Sequence, residues 1–207
     1  MNQSPLIIII GRQFGSGGGK IAQLLAKMFD AKLYDSEILN LAARESGYSE
    51  QMFKQNDEHK SFFTAIGATL FPLRTTVMTV RNPGQEESLF QLQSDAIRKA
   101  AKEGNCVFVG RCADYILRDS PNVVNVFVTS PLQKRLERVM ERHGCDERKA
   151  RKILSAKENR RMEYYNFYTG KRWGAAESYD LCVDSSVLGI EKTAELIASF
   201  VRDKMEQ

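Results

Sequence analysis

Proline, histidine and tryptophan are scarce in this chain of 207 residues, which contains five, two and one of them. So few prolines leave room for long uninterrupted helices, and two histidines cannot furnish a convincing zinc site. The four cysteines, Cys106, Cys112, Cys145 and Cys182, stand apart with no CxxC pair, which points to reduced thiols, at least two of them buried in strands. No apolar run approaches the roughly 18 residues of a membrane span, and no basic-then-apolar leader opens the chain. The expectation is a cytoplasmic protein with no membrane partner. A net charge of +4 is too mild to imply nucleic acid as a partner. What is present is a globular profile: 43% hydrophobic and 27% charged residues suffice for one sizeable core without disulfides, hence one domain over residues 1–207.

Five short apolar, β-branched segments predict strands: Leu6 to Ile10, Lys32 to Tyr34, Asn105 to Val109, Val123 to Val128 and Tyr179 to Val183. Helical spacing predicts helices over Gly19 to Phe29, Glu37 to Ser46, Glu87 to Glu103, Pro131 to Arg142, Asp146 to Tyr168 and Ile190 to Met205, with Pro131 in a first turn. Alternating strands and helices imply parallel strands joined by right-handed crossovers, an α/β doubly wound sheet whose ligands gather at the strands' carboxyl ends. Residues 60 to 85 break the rhythm. Phe62, Phe63, Ile66, Leu70, Phe71 and Leu73 are too apolar for a linker, while Pro72, Pro83 and Gly84 interrupt a long helix. Charge is uneven as well: from Lys134 to Arg172 there are 13 Lys and Arg against 6 Asp and Glu. Such a stretch serves either as a polyphosphate-binding surface or as a solvated helix face.

The most informative segment is LIIIIGRQFGSGGGKIA, residues 6 to 22. An apolar strand runs into a turn holding Gly15, Gly17, Gly18 and Gly19, and a helix follows. Missing side chains let consecutive N–H groups converge on an anion, with the helix dipole adding positive potential. Ser16 adds a hydroxyl donor. The strict pattern GxxxxGK[ST] is not met, because Gly15 to Lys20 spaces as GxxxGK and Ile21 stands where Ser or Thr would be. Aligning Gly15 and Gly17 with the loop glycines of small-molecule kinases puts Gly18 at the usual lysine position. Either Lys20 swings back to the phosphates or Arg12 supplies the charge. A dinucleotide-binding GxGxxG is the competing reading.

Beyond this loop, LYDSEIL at 33 to 39, VFVGRCADYIL at 107 to 117, YYNFYTGKRWG at 164 to 174 and YDLCVDSS at 179 to 186 make the chain resemble the cytidylate kinase-like family, relatives of the nucleoside monophosphate kinases. The resemblance implies a three-layer P-loop kinase fold with a five-stranded parallel sheet, an acceptor-binding insertion at about 36–93 and a helical lid at 141–173. It also implies ATP-dependent transfer of a phosphoryl group to a nucleoside monophosphate, CMP or dCMP first, with Mg2+ bound mainly through the nucleotide phosphates. Small-molecule nucleotides are then the partners.

Transfer between phosphates needs no general base, because the acceptor is already ionised; it needs cations around the moving group. Arginine, bidentate and permanently charged, serves best. The nucleotide-binding set is Arg12, Gly15, Ser16, Gly17, Gly18, Gly19, Lys20 and Ile21, with Arg142 over the donor base by resemblance. Lys20, Arg111, Lys157, Arg160 and Arg161 are the catalytic candidates. Lys157, Arg160 and Arg161 share a helix face at i, i+3 and i+4, which a surface ion-pair face would show equally. By resemblance Arg111 holds the acceptor phosphate; an acid often follows it in cytidylate kinases, where this chain has Cys112, with Asp114 as a substitute. Asp35 either caps the helix near Glu37 or faces the acceptor and a magnesium-bound water. Other readings are a kinase for another small metabolite and a regulatory module that binds nucleotide without turnover. A nucleic-acid binder lacks any helix-turn-helix, RNP or zinc-finger pattern to support it.

Overall fold

The computed structural model describes residues 4–35 and 83–206, with side chains described from residue 90 in the second stretch. The chain divides into two compact units, residues 1–36 with 97–207, and residues 37–96. The helix expected over Glu37 to Ser46 and the apolar cluster before residue 83 lie outside the described residues. Within the first unit five strands form one parallel sheet: β1 (Ile7–Arg12), β2 (Lys32–Tyr34), β3 (Cys106–Val109), β4 (Val123–Thr129) and β5 (Leu181–Asp184), in the order β2-β3-β1-β4-β5. Helices α1 (Gly18–Met28), α2 (Pro83–Glu103), α3 (Ala113–Ile116), α4 (Leu132–His143), α5 (Glu147–Thr169) and α6 (Ser185–Met205), with a 3-10 turn at Ala176–Ser178, complete the described elements. Pro83 and Gly84 stand in the first turn of α2, where proline's missing N–H costs nothing.

Central strands of a parallel sheet are covered on both faces and are therefore continuously apolar, which is why Ile7, Ile8, Ile9 and Ile10 are all buried. One face, with Ile8, Ile10, Val107, Val109, Val124, Val126 and Val128, packs against Ile21 and Leu25 of α1 and Ala194, Ile197 and Val201 of α6. Leu136 and Val139 of α4 close a smaller cluster with Ala150 and Leu154 of α5, and Phe14 joins it. The strand order reverses about β1, whose neighbours are β3 and β4, and such a switch point opens a crevice at the carboxyl ends. β1 runs two residues past its predicted end because Gly11 and Arg12 keep pairing with Phe127 and Val128. That extension makes Arg12 the residue from which the glycine-rich turn departs.

Two further expectations change. Of the cysteines, only Cys106 is both buried and in a strand; Cys112 is buried as the N-cap of α3, and Cys182 of β5 is exposed. Helix α6 begins at Ser185 but is broken at Gly189 (φ 80°, ψ 175°), so its regular part starts at the predicted Ile190. Leu25 lies fully buried where α1 meets the sheet. Leu25→Ala is expected to lower stability by about 2–5 kcal/mol in urea unfolding; a loss below about 1 kcal/mol would mean that α1 is not held by this packing.

Candidate active site

The turn after β1 is fixed from behind. Gly15 and Gly17 have φ of 80° and 83°, a region that only glycine occupies without strain. Arg138 of α4 donates to the Gly15 carbonyl (3.2 Å) and also reaches Ser130 Oγ and Ser185 Oγ. Ser185 Oγ donates to the Ser16 carbonyl at 2.5 Å. In a trans peptide the N–H points opposite to the C=O, so tying the Ser16 carbonyl inward turns the Gly17 N–H outward. The first intrahelical bond of α1 runs from Ile21 N to Gly17 O (3.1 Å), which leaves the N–H groups of Gly18, Gly19 and Lys20 as the unused donors of a helix start. The result is a cradle for an anion.

Two members of the expected cradle are corrected by this geometry. The Ser16 hydroxyl is fully buried and donates to Gln13 O at 2.9 Å, so Ser16 contributes backbone and not its side chain. Ile21 has its side chain in the core and its N–H in the helix ladder, so it is a packing residue. Lys20 is exposed on α1.

Cations converge on the mouth of this cradle. The Arg12 side chain lies across Gly18 and ends against Gly110, where an added Cβ would overlap its Nη1. Arg161 of α5 donates to the Arg12 carbonyl (3.1 Å) and stands 5.3 Å over the Phe14 ring. Arg111 stands 5.5 Å over the Tyr164 ring. The guanidinium of Arg12 is pushed down to about 9, first by burial, then by repulsion from Arg161 and Arg111, and Asp35 opposes the shift. Burial also lowers Arg161, with Glu158 acting against it. Since arginine stays charged at neutral pH, the lowered proton affinity means that the charged cluster opposes folding there. A bound anion relieves that cost.

Arg111 is also held in an unusual backbone. Gly110, Arg111 and Cys112 follow one another at φ 73°, 59° and 57°, and for residues with a Cβ the left-handed region costs roughly 1–2 kcal/mol. Strain of this kind concentrates where a side chain must be aimed.

Helix α5 is docked on the loop. Glu158 pairs with Arg135 (2.8 Å) and accepts from the Phe14 N–H (3.3 Å), while Arg135 Nε donates to Ser130 O (2.8 Å). Further along, Tyr165 donates to Asp114 at 2.6 Å, and Trp173 packs edge-on to Phe127. Burial raises the Asp114 carboxyl, partly countered by the Tyr165 bond. Asp114 is thus corrected from an acceptor contact to a buried link between α3 and α5. Lys157 and Arg160 are exposed on α5, as is Arg142 at the end of α4, so of the three cations expected on one face of α5, Arg161 alone joins the cluster. Arg135, Arg138, Gln13 and Ser185 were not singled out from the sequence. Their one visible signal is Arg135 beside Leu136 on the apolar stripe of α4.

The sequence pattern of the cytidylate kinase-like family matches residues 7–187. The chain belongs to the cytidylate kinase-like family. It is a phosphotransferase of the nucleoside monophosphate kinase-like type. Among curated cytidylate kinases it is 24% identical to that of Methanopyrus kandleri over 98% of this chain and 96% of the relative. It is 25% identical to that of Pyrococcus horikoshii over 90% and 83%. Among solved structures, an uncharacterised protein from Eubacterium ventriosum is 28% identical with a TM-score of 0.73, covering 95% of this chain and 98% of that one. Shikimate kinase from Bacteroides thetaiotaomicron shares the fold of the cytidylate kinase-like chain at 12% identity and a TM-score of 0.52, over 95% and 98%.

Arg111→Gly and Arg111→Ala both remove the guanidinium, but only glycine accepts the left-handed backbone. The glycine variant is expected to be about 1 kcal/mol more stable than the alanine variant in urea unfolding. Equal stabilities would show that no strain is stored at this position.

Proposed function

We propose that the chain transfers the terminal phosphoryl group of ATP to CMP or dCMP. The observation that supports this most is the convergence of Arg12, Arg111 and Arg161 on the open donors of Gly18, Gly19 and Lys20. Fixed cations around a transferring phosphoryl group stabilise its charge without reorganising, and the ionised acceptor needs no base. In this reading the loop amides hold the donor phosphates, Arg111 draws the acceptor phosphate, and Arg161 spans the two. Lys157, Arg160 and Arg142 act at the exposed margin, Lys157 and Arg160 toward phosphate and Arg142 toward the donor base. Residues 36–93 form the acceptor-binding insertion, from their place between the second and third strands, and residues 141–173 the lid. A cytoplasmic location accompanies the use of ATP.

The donor set for a divalent cation is sparse: among the described residues no group of three His, Cys, Asp or Glu could hold an ion. Asp35, whose charge is felt at Arg12, fits the role of fixing a water on Mg2+ that the nucleotide phosphates carry. When bound, Mg2+ neutralises charge on the donor phosphates.

A specific observation keeps a second acceptor class in play. Cys112, buried and pushed up to about 12 by burial and by Asp114, occupies the place where cytidylate kinases often carry an acid, and Asp114 is engaged with Tyr165. A different nucleoside monophosphate or a small hydroxylated metabolite is then the acceptor. Coupled ADP release with ATP and Mg2+, run against CMP, dCMP, UMP, AMP, GMP and hydroxylated metabolites, decides between them. Release with CMP or dCMP is expected; release with another acceptor alone overturns the cytidine assignment, and none with any acceptor overturns kinase activity.

Arg161→Ala is expected to lower kcat by about 100-fold or more while changing the ATP Kd by less than about threefold, because its charge acts on the transition state. Equal losses in both would assign it to ground-state binding.

A further inference from the structure

The strict phosphate-loop pattern has glycine at its first position, glycine at its sixth and lysine at its seventh. With Gly17 as the sixth, this chain has Arg12 at the first position and Gly18 at the seventh. Arginine stands where the pattern has glycine, and glycine where it has lysine. The two exchanges meet in space: a Cβ on Gly18 would lie 2.6 Å from Arg12 Cβ and 3.1 Å from Arg12 Cγ. Those atoms are the root of the arginine, anchored by β1, and not a flexible end that could step aside.

We propose that Arg12 supplies the cation that the loop lysine supplies in the strict pattern, entering from the end of β1 through the space left by the absent side chain of Gly18. Residues 12 and 18 thus form one steric and electrostatic unit. The proposal rests on reading the loop as the donor-phosphate site. From its root over Gly18 the Arg12 side chain crosses to Gly110, next to Arg111, so its charge lies between the loop and the residue that draws the second phosphate. Its carbonyl is held by Arg161 (3.1 Å), which fixes the backbone from which the side chain departs. Lys20 is poorly placed for the same task. Two residues along an α-helix turn the side chain by about 200°, so Lys20 projects away from the side on which a residue-18 side chain would stand, and it is exposed.

The geometry makes the exchange reversible in principle. With glycine at 12, the remaining close neighbour of a residue-18 Cβ is Val128 Cβ at 3.5 Å, an ordinary contact. The test is calorimetric binding of ATP and of pyrophosphate to the full chain and to Arg12→Met, Gly18→Lys, Lys20→Ala and the double variant Arg12→Gly with Gly18→Lys, with thermal unfolding to confirm folding. Arg12→Met, which keeps the aliphatic stem, is expected to lose about 100-fold or more in affinity for both ligands. Gly18→Lys alone is expected to bind as weakly or to unfold at lower temperature, and the double variant to return to within about tenfold of the original chain. Binding by Arg12→Met within about threefold of the original chain, or a larger loss in Lys20→Ala than in Arg12→Met, overturns the assignment while leaving the donor site intact. A double variant that folds yet binds no better than Gly18→Lys overturns the pairing of the two positions. If the original chain binds neither ligand, the donor-site reading itself fails and the assignment falls with it.

Discussion

Mutual repulsion among Arg12, Arg111 and Arg161 is the constraint around which the rest is arranged. Arg12 and Arg161 sit where burial already disfavours charge, and each of the three guanidiniums is placed by a different element: Arg12 by β1, Arg111 by the turn after β3, Arg161 by α5. Left to themselves, like charges on flexible stems would swing apart into water. Here the stems are trapped, by Gly18 and Gly110 in one case, by a left-handed backbone in the second and by a bond to a β1 carbonyl in the third. The sheet order makes this possible, because β1 and β3 are neighbours whose carboxyl ends lie side by side at the reversal about β1, and α5 passes against the end of β1.

A second layer holds the first. Arg135 and Arg138 belong to the same basic stretch as Arg161, yet they face inward, toward Glu158, Ser130 and Ser185. Paired with a carboxylate or satisfied by carbonyls and hydroxyls, a buried arginine becomes scaffold. The basic stretch therefore divides into cations that position the loop, one that reaches its mouth, and others that remain in solvent.

How much of this was legible follows the range of the interaction that decides each feature. β2 has the bounds read from its apolar content, and α4 and α5 start and stop within one residue of expectation, since Pro131, Asp146 and the glycines at 144 and 170 act locally as caps. The segment that forms the cradle was legible for the same reason. Orientation was not. Whether Ser16 turns its hydroxyl inward depends on Gln13 O, and whether Asp114 meets Tyr165 depends on a contact spanning 51 residues. Lys157, Arg160 and Arg161 fit one helix face by spacing, yet a 23-residue helix in contact along a narrow stripe admits only the position that meets β1. The short α3 was missed because its four residues are too few to show a period.

The inward ties on the loop have one more consequence. The carbonyls of Gly15 and Ser16 and the N–H of Phe14 are each occupied by a side chain from α4, α5 or α6, so the turn's shape is set by the folded chain before any phosphate arrives. A segment of five residues that had to be ordered by its ligand would subtract on the order of 1 kcal/mol per residue from the affinity. In this chain that entropy is lost during folding instead, and association with a polyphosphate resembles insertion into a finished mould, with the electrostatic energy of the cluster available almost undiminished for attraction.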